Sequence, residues 1–200
     1  MNRPKGYVQL QAGGDSREED SVYTKIAQER AKLLCMRLPS RPLPDWKILD
    51  IGCYRGEAIR VFKSQRPELH ITGLDIVPDN VDEAMSVADE AVVGDCHQLP
   101  FEDKSFDWVF SQHTLEHCYD IPKAVSEMRR VSRRGIFLAL PLEGQEKYDA
   151  TAGHFFHTLE PMHWLNLVDH RDWLLVSMSL TQYSDIIVVL LRKELVEYGK

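Results

Sequence analysis

The chain has 200 residues, 44% of them hydrophobic, with 31 acidic against 24 basic side chains and a formal net charge of −7. That length and apolar content suffice for one substantial core and favour a single domain, and the acidic balance argues against a general nucleic-acid binder, whose affinity rests on lysines and arginines neutralising phosphates. No window approaches the roughly 18 consecutive apolar residues of a membrane span, and Met1 to Gly6 lacks the apolar run of a signal peptide, so the expectation is a cytoplasmic protein with no membrane partner.

Residues 1–19 are polar, carry Gly13-Gly14 and several acids, and show no hydrophobic period. They read as a flexible N-terminal arm, or a lid ordered by ligand in which Tyr7-Val8-Gln9-Leu10 closes over a filled pocket, ahead of a single domain over 20–200. The spacing of Val22, Ile26, Ala31, Leu34 and Cys35 predicts a helix over 21–38, stopped by Pro39, Pro42 and Pro44. The chain then alternates. Strands are expected over 47–51, 70–75, 91–95, 106–111 and 135–140, with helices over 57–64, 79–88 and 121–132 between them. This rhythm calls for a doubly wound, mostly parallel sheet with helices on both faces. Strands over 173–180 and 186–192 follow, separated by Thr181-Gln182-Tyr183-Ser184-Asp185, a link short enough for a hairpin and too short for a helical crossover.

The chemistry concentrates at the strand ends. Ile48-Leu49-Asp50-Ile51-Gly52-Cys53-Tyr54-Arg55-Gly56 reads as a buried strand, a tight turn whose backbone can approach a ligand, and a helix opening at Glu57. Asp75 closes the second strand 19 residues after Gly56, where a carboxylate can accept bonds from ribose hydroxyls, and Asp95 closes the third, 20 residues later, where one can accept from an exocyclic amine. Any one of these acids is commonly a helix cap; three in register are not explained that way. A dinucleotide fingerprint does not fit, because Tyr54 and Glu57 stand where its second and third glycines belong, and no Gly-Lys-Ser/Thr follows to make a phosphate loop.

Asp50-x-Gly52-x-x-x-Gly56, Asp75, Gly94-Asp95, Leu99-Pro100-Phe101 and Ser105-Phe106-Asp107 together resemble the class I S-adenosylmethionine-dependent methyltransferases of the broad small-molecule type, over about residues 46–192. The resemblance departs at Tyr54, where the family usually has glycine. It implies a seven-stranded sheet with an antiparallel last strand and S-adenosyl-L-methionine as cofactor. It places Gly52, Cys53, Tyr54 and Gly56, with Asp50, at the methionine part, Asp75 at the ribose, Ile76 and Cys96 on the adenine faces and Asp95 at the adenine amine. Gln112, at the tip of the fourth strand, joins this cofactor-binding set.

Methyl transfer needs an aligned acceptor and, for a hydroxyl, removal of a proton. Gln112-His113-Thr114-Leu115-Glu116-His117 follows the fourth strand. His113 is the expected general base, since a neutral imidazole titrates near pH 7, and Glu116 and His117 join it as catalytic candidates; a pocket-lining His113 is the bland alternative. His113 to His117 also spells H-x-x-E-H, a protease zinc signature, but it follows a strand and precedes Pro122 instead of lying in a long helix. Glu116-His117 further resembles the E-x-x-E-H element that holds a divalent ion in ubiquinone-type O-methyltransferases and small-RNA ribose methyltransferases. Many relatives carry a similar Glu-His without a metal, so no metal site is expected.

The insert over 142–168 carries His154-Phe155-Phe156-His157, then Met162, His163 and Trp164, a composition suited to a pocket wall or lid; its end, 160–168, reads as a helix packing Leu165 and Val168 into the core. Gly153-His154-Phe155-Phe156-His157-Thr158-Leu159-Glu160 resembles the family's lead-in to that helix. Arg129-Arg130 and Arg133-Arg134 read as a solvated helix terminus favoured by the helix dipole. Cys35, Cys53, Cys96 and Cys118, with no C-x-x-C, read as free thiols. The expectation is methyl transfer to a small-molecule or sugar-like acceptor, at oxygen, with a non-catalytic cofactor-binding subunit as the alternative.

Overall fold

The computed structural model describes residues 3–12, 20–38, 46–143, 154–168, 173–180 and 185–194. The expectations for the three-proline linker, for Gly153 and for the hairpin turn at 181–184 lie outside these residues.

The apolar runs form strands β1 (Lys47–Ile51), β2 (His70–Asp75), β3 (Glu90–Val93), β4 (Phe106–Gln112), β5 (Ser132–Pro141), β6 (Trp173–Leu180) and β7 (Asp185–Arg192). They make one seven-stranded sheet in the order β3-β2-β1-β4-β5-β7-β6. The first five pair in parallel, whereas β7 runs antiparallel to both β5 and β6. Strand order reverses between β1 and β4, so the crevice for a ligand opens at the carboxyl ends of these two strands.

Helices α1 (Tyr7–Ala12), α2 (Asp20–Arg37), α3 (Glu57–Gln65), α4 (Pro78–Ala84), α5 (Ile121–Val131) and α6 (Pro161–Leu167) complete the described elements, with one 3-10 turn at Leu115–His117. Two cores result, one on each face of the sheet. Ala31 and Leu34 of α2 and Ile59 and Phe62 of α3 pack on Ile48, Phe110 and Phe137. On the other face, Ala124, Val125 and Met128 of α5 and Trp164 and Leu165 of α6 pack on Leu49, Val109 and Leu138. Both faces are covered, which is why the parallel strands read as continuous apolar runs and not as alternation.

Several boundaries move. Helix α4 begins at Pro78, whose fixed φ suits the first helical turn, and stops at Ala84 instead of residue 88. Strand β3 ends at Val93, leaving Asp95 to form an isolated bridge with Gln98. Asp185 is the first residue of β7 and buried, not part of the hairpin loop. Within the expected arm, Tyr7–Ala12 is helical and the Tyr7 side chain is buried.

The arginine cluster is not a solvated helix end. Arg130 bonds the carboxylates of Glu127 and Asp103 and the carbonyls of Leu99 and Phe101, while Arg133 and Arg134 both reach Asp107. These bonds tie the segment before β4 to the end of α5. Arg30, inside α2, makes a buried ion pair with Asp185, which pins that helix to the sheet.

Candidate active site

The turn after β1 is built from left-handed residues. Gly52 has φ 72°, Tyr54 48° and Gly56 85°. A Cβ on Gly52 would lie 2.1 Å from Thr114 Oγ1, so this position needs glycine for space as well as for conformation. Tyr54 adopts the same region without that freedom, at a cost of about 1–2 kcal/mol. Its backbone N–H donates to Asp75 Oδ2 at 3.0 Å and the Arg55 guanidinium lies 5.0 Å from its ring, contacts that offset part of the strain.

The amides of this turn are spent internally. Gly52 and Cys53 both donate to the Leu74 carbonyl, and Gly56 donates to Cys53. The loop therefore has no nest of free N–H groups for a phosphate. What it offers instead is negative. Asp50 is 1% exposed and neither carboxylate oxygen has a hydrogen-bond partner. Burial, with Asp75 and Glu57 nearby, raises its pKa to about 8. A buried, unpartnered carboxylate is costly unless something positive meets it; the ammonium of a bound methionine tail would.

Asp75, at the end of β2, is also buried, and burial holds its pKa up against the hydrogen bonds it accepts. Oδ2 accepts from the Tyr54 N–H, and Oδ1 accepts from the Val77 N–H at 2.9 Å and from Asn80 Nδ2 at 3.3 Å. With about four acceptor positions on a carboxylate, one remains on Oδ2 for a ribose hydroxyl. A second hydroxyl needs the long Asn80 bond to give way. Ile76, half-buried, follows directly.

Sequence reasoning passed over His97. Its Nδ1 lies 2.5 Å from Asp95 Oδ1, and its Nε2 accepts the Asp120 N–H at 3.3 Å, so the proton sits on Nδ1 and donates to Asp95. The ring stacks on Tyr119 with centroids 3.8 Å apart, and Tyr7 of α1 meets both rings edge-on. Asp95 Oδ2 faces outward, with Arg3 at 3.8 Å. Cys96 is buried beside Cys118, their sulfurs 3.4 Å apart; all four cysteines are free and buried. The signal for His97 in the sequence was only its place one residue beyond Cys96.

At the tip of β4, Gln112 Oε1 is buried without a hydrogen-bond partner. His113 has φ 45°, a strained value for a non-glycine residue. Its Nε2 lies 2.8 Å from Asp185 Oδ1 and its Nδ1 3.9 Å from Glu116 Oε1. Asp185 was missed as well. Although burial opposes it, the bonds to His113 and Arg30 hold Asp185 below the usual carboxylate range, so it is ionised and only accepts. Nε2 of His113 must therefore carry the proton, which leaves Nδ1 as the free base. Burial, outweighing Asp185, lowers the His113 pKa and keeps the ring neutral at pH 7.

Glu116 lies beside His113 Nδ1, and with His117 it comes close to His154, which in turn meets Glu143 and His157. Met162 and His163 of α6 are exposed, whereas Trp164, Leu165 and Val168 are buried in the core as expected.

Comparison with known proteins adds a family to this geometry. Residues 49–140 match the family model described as a methyltransferase domain. Over these residues the chain is similar to methyltransferase domains. The chain is 33% identical over 94 residues to the malonyl-[acyl-carrier protein] O-methyltransferase of Serratia marcescens, covering 46% of this chain and 36% of that one. It is 34% identical over 94 residues to the demethylmenaquinone methyltransferase of Thermotoga maritima, covering 44% and 39%. The chain thus spans less than half the length of these relatives. A chain in the complex between the Haloferax volcanii Trm112 methyltransferase activator and a methyltransferase has the same fold, with a TM-score of 0.75 at 16% identity over 96% of this chain and 99% of that one. The residues present fit S-adenosylmethionine as a cofactor: the orphaned Asp50 carboxylate suits an ammonium and the acid at the end of β2 suits a ribose. Among the described residues no helix is long and apolar enough to cross a membrane.

Proposed function

We propose that this protein transfers the methyl group of S-adenosylmethionine to an oxygen of a small-molecule or sugar-like acceptor held beside His113. The bound sulfonium supplies an already activated methyl group. The chain's own part is to hold the cofactor through Asp50, Gly52, Cys53, Tyr54, Gly56, Asp75, Ile76, Asp95, Cys96 and Gln112, to align the acceptor, and to take its proton.

The observation that carries the reading is the orientation of His113. Ionised Asp185 fixes the proton on Nε2 and leaves Nδ1 as a base at the strand tip where the sheet order reverses. Nδ1 would accept the proton of an acceptor hydroxyl as the methyl group passed from sulfur to that oxygen and S-adenosylhomocysteine was released, and Asp185 would stabilise the resulting imidazolium. The arm over 1–19 belongs to this reading as a lid on the single domain over 20–200. Tyr7 of α1 donates its hydroxyl to the His117 carbonyl at 2.8 Å and covers His97, which supports a role in excluding water from the crevice.

The test is a screen of metabolite extracts with methyl-labelled cofactor and the purified chain. Label in a low-molecular-weight product, lost in His113→Ala, is expected. Tight binding of S-adenosylhomocysteine with no turnover on any acceptor class would favour a non-catalytic, partner-regulating relative instead.

A further inference from the structure

Cys96 and Cys118 come from different loops and meet in the core. Cys96 lies between Asp95 and His97 in the segment after β3, Cys118 directly follows the 3-10 turn after β4, and β2 and β1 stand between those two strands in the sheet. Their sulfurs are nevertheless 3.4 Å apart. A disulfide holds its sulfurs at about 2.05 Å, so forming the bond brings this pair nearer by little more than an ångström.

The two thiols are not equivalent. Cys118 shares a hydrogen bond with Cys96, and His97 Nδ1 lies 3.7 Å from Cys96 Sγ. The bond with Cys118, aided by His97, lowers the Cys96 pKa to about 6 against burial, and the same bond raises that of Cys118. A thiolate thus sits in contact with a thiol, which is the pairing of an attacking and a resolving cysteine. The other two cysteines differ, since burial pushes Cys35 up to about 11 and Cys53 above the ordinary thiol range. Cys96 is 8% exposed, which restricts the oxidant to a molecule near water in size. Its neighbours carry any movement onward. Asp95 Oδ1 accepts the His97 backbone N–H at 2.9 Å and its ring Nδ1–H at 2.5 Å, so the two residues clasp the chain around Cys96.

We propose that Cys96 and Cys118 form a peroxide-driven disulfide that weakens cofactor binding by drawing Asp95 from the adenine amine. The inference rests on the assignment of Asp95 and Cys96 to the adenine in the reading above. The Cys96 thiolate attacks one oxygen of hydrogen peroxide and breaks the O–O bond; Cys96 becomes a sulfenic acid, and the other oxygen leaves as hydroxide and is protonated to water. The Cys118 sulfur then loses its proton, attacks Cys96 Sγ and expels the sulfenic oxygen as a second water. The two thiols give up two electrons and the peroxide takes them. Because the coupling is reciprocal, bound cofactor favours the dithiol form.

The bond can be mapped without cofactor or acceptor. The full chain is treated with hydrogen peroxide, the remaining thiols are alkylated, and the digest is read by mass spectrometry. Loss of two of the four free thiols, with a peptide joining Cys96 to Cys118, is expected. Calorimetry should find S-adenosylhomocysteine affinity lowered about 10-fold in the oxidised protein, the scale of one lost hydrogen bond to a charged group, and restored by dithiothreitol. Cys118→Ala should bind S-adenosylhomocysteine as the reduced wild type does, form no disulfide, and accumulate on Cys96 a sulfenic acid that dimedone traps. Saturation with S-adenosylhomocysteine beforehand should slow the disulfide in the wild type. A failed methyltransferase reading is distinguishable, because the reduced wild type would then bind no S-adenosylhomocysteine while the disulfide still maps. Absence of the Cys96–Cys118 peptide, or unchanged affinity in the disulfide-bonded protein, would overturn the proposal.

Discussion

His113 and Asp185 are 72 residues apart in sequence and joined by a 2.8 Å bond between Nε2 and Oδ1. One lies at the carboxyl end of β4, the other opens β7, and the antiparallel return of β7 along β5 brings them together. Arg30 of α2 completes the chain of charges. His113→Ala should reduce turnover ~10²–10⁴-fold while S-adenosylhomocysteine affinity holds. Asp185→Asn should lower turnover too, and should lower the melting temperature, since Arg30 loses its buried counter-charge at a cost of about 3–5 kcal/mol. Because burial keeps the His113 pKa below its ordinary value, kcat/KM should stay flat down to about pH 6.5 and fall only below it. An unchanged rate in His113→Ala removes the base.

Asp50 makes a prediction about protons. Its pKa of about 8 means that the folded protein without cofactor binds a proton here at neutral pH that the unfolded chain, near pH 4, has already lost. The native state holds more protons, so this group's contribution to stability falls as pH rises from about 4 to 8. An incoming ammonium reverses the preference and ionises the carboxylate. Calorimetry at pH 7 in buffers of different ionisation enthalpy should therefore detect proton release on S-adenosylhomocysteine binding. Asp50→Asn should bind more weakly and release less. Equal release in both proteins would take Asp50 out of the methionine subsite.

Tyr7 gives the arm a measurable stake in the fold. Its side chain is buried against His97, Tyr119 and Phe155, and its hydroxyl bonds the His117 carbonyl. Tyr7→Ala should cost about 3 kcal/mol of stability, the scale of a large aromatic truncation, and raise the acceptor's KM more than it lowers kcat. An unaltered melting temperature and KM would make the arm a bystander.

The sheet was legible because parallel strands covered on both faces advertise themselves as apolar runs, and because the acids near the ends of β1, β2 and β3 fall at the carboxyl end of the sheet, where ligands bind in such folds. The hairpin was legible from the shortness of its link. What was hidden depends on distant pairing. Arg30 looked like one more cation on a helix until β7 placed Asp185 opposite it, 155 residues away. Asp185 looked like a turn residue because acids are common in turns. Glu143 carried no signal beyond its position after β5; the bridge between Glu143 and Thr158 is what turns His154 and His157 toward it. The basic cluster misled in the same way, since Asp107 and Glu127 neutralise it only in the folded chain.

The central claim is that the ends of β1 to β3 form an S-adenosylmethionine site, and Asp75 tests it most directly. Its Oδ2 has one position open for a ribose hydroxyl, so Asp75→Ala removes a hydrogen bond to a charged group, worth about 1.5–3 kcal/mol. Isothermal calorimetry with S-adenosylhomocysteine should find affinity lowered by roughly 10- to 150-fold in a variant that still unfolds cooperatively. Wild-type affinity in folded Asp75→Ala, or no binding by the wild-type protein, would contradict the account.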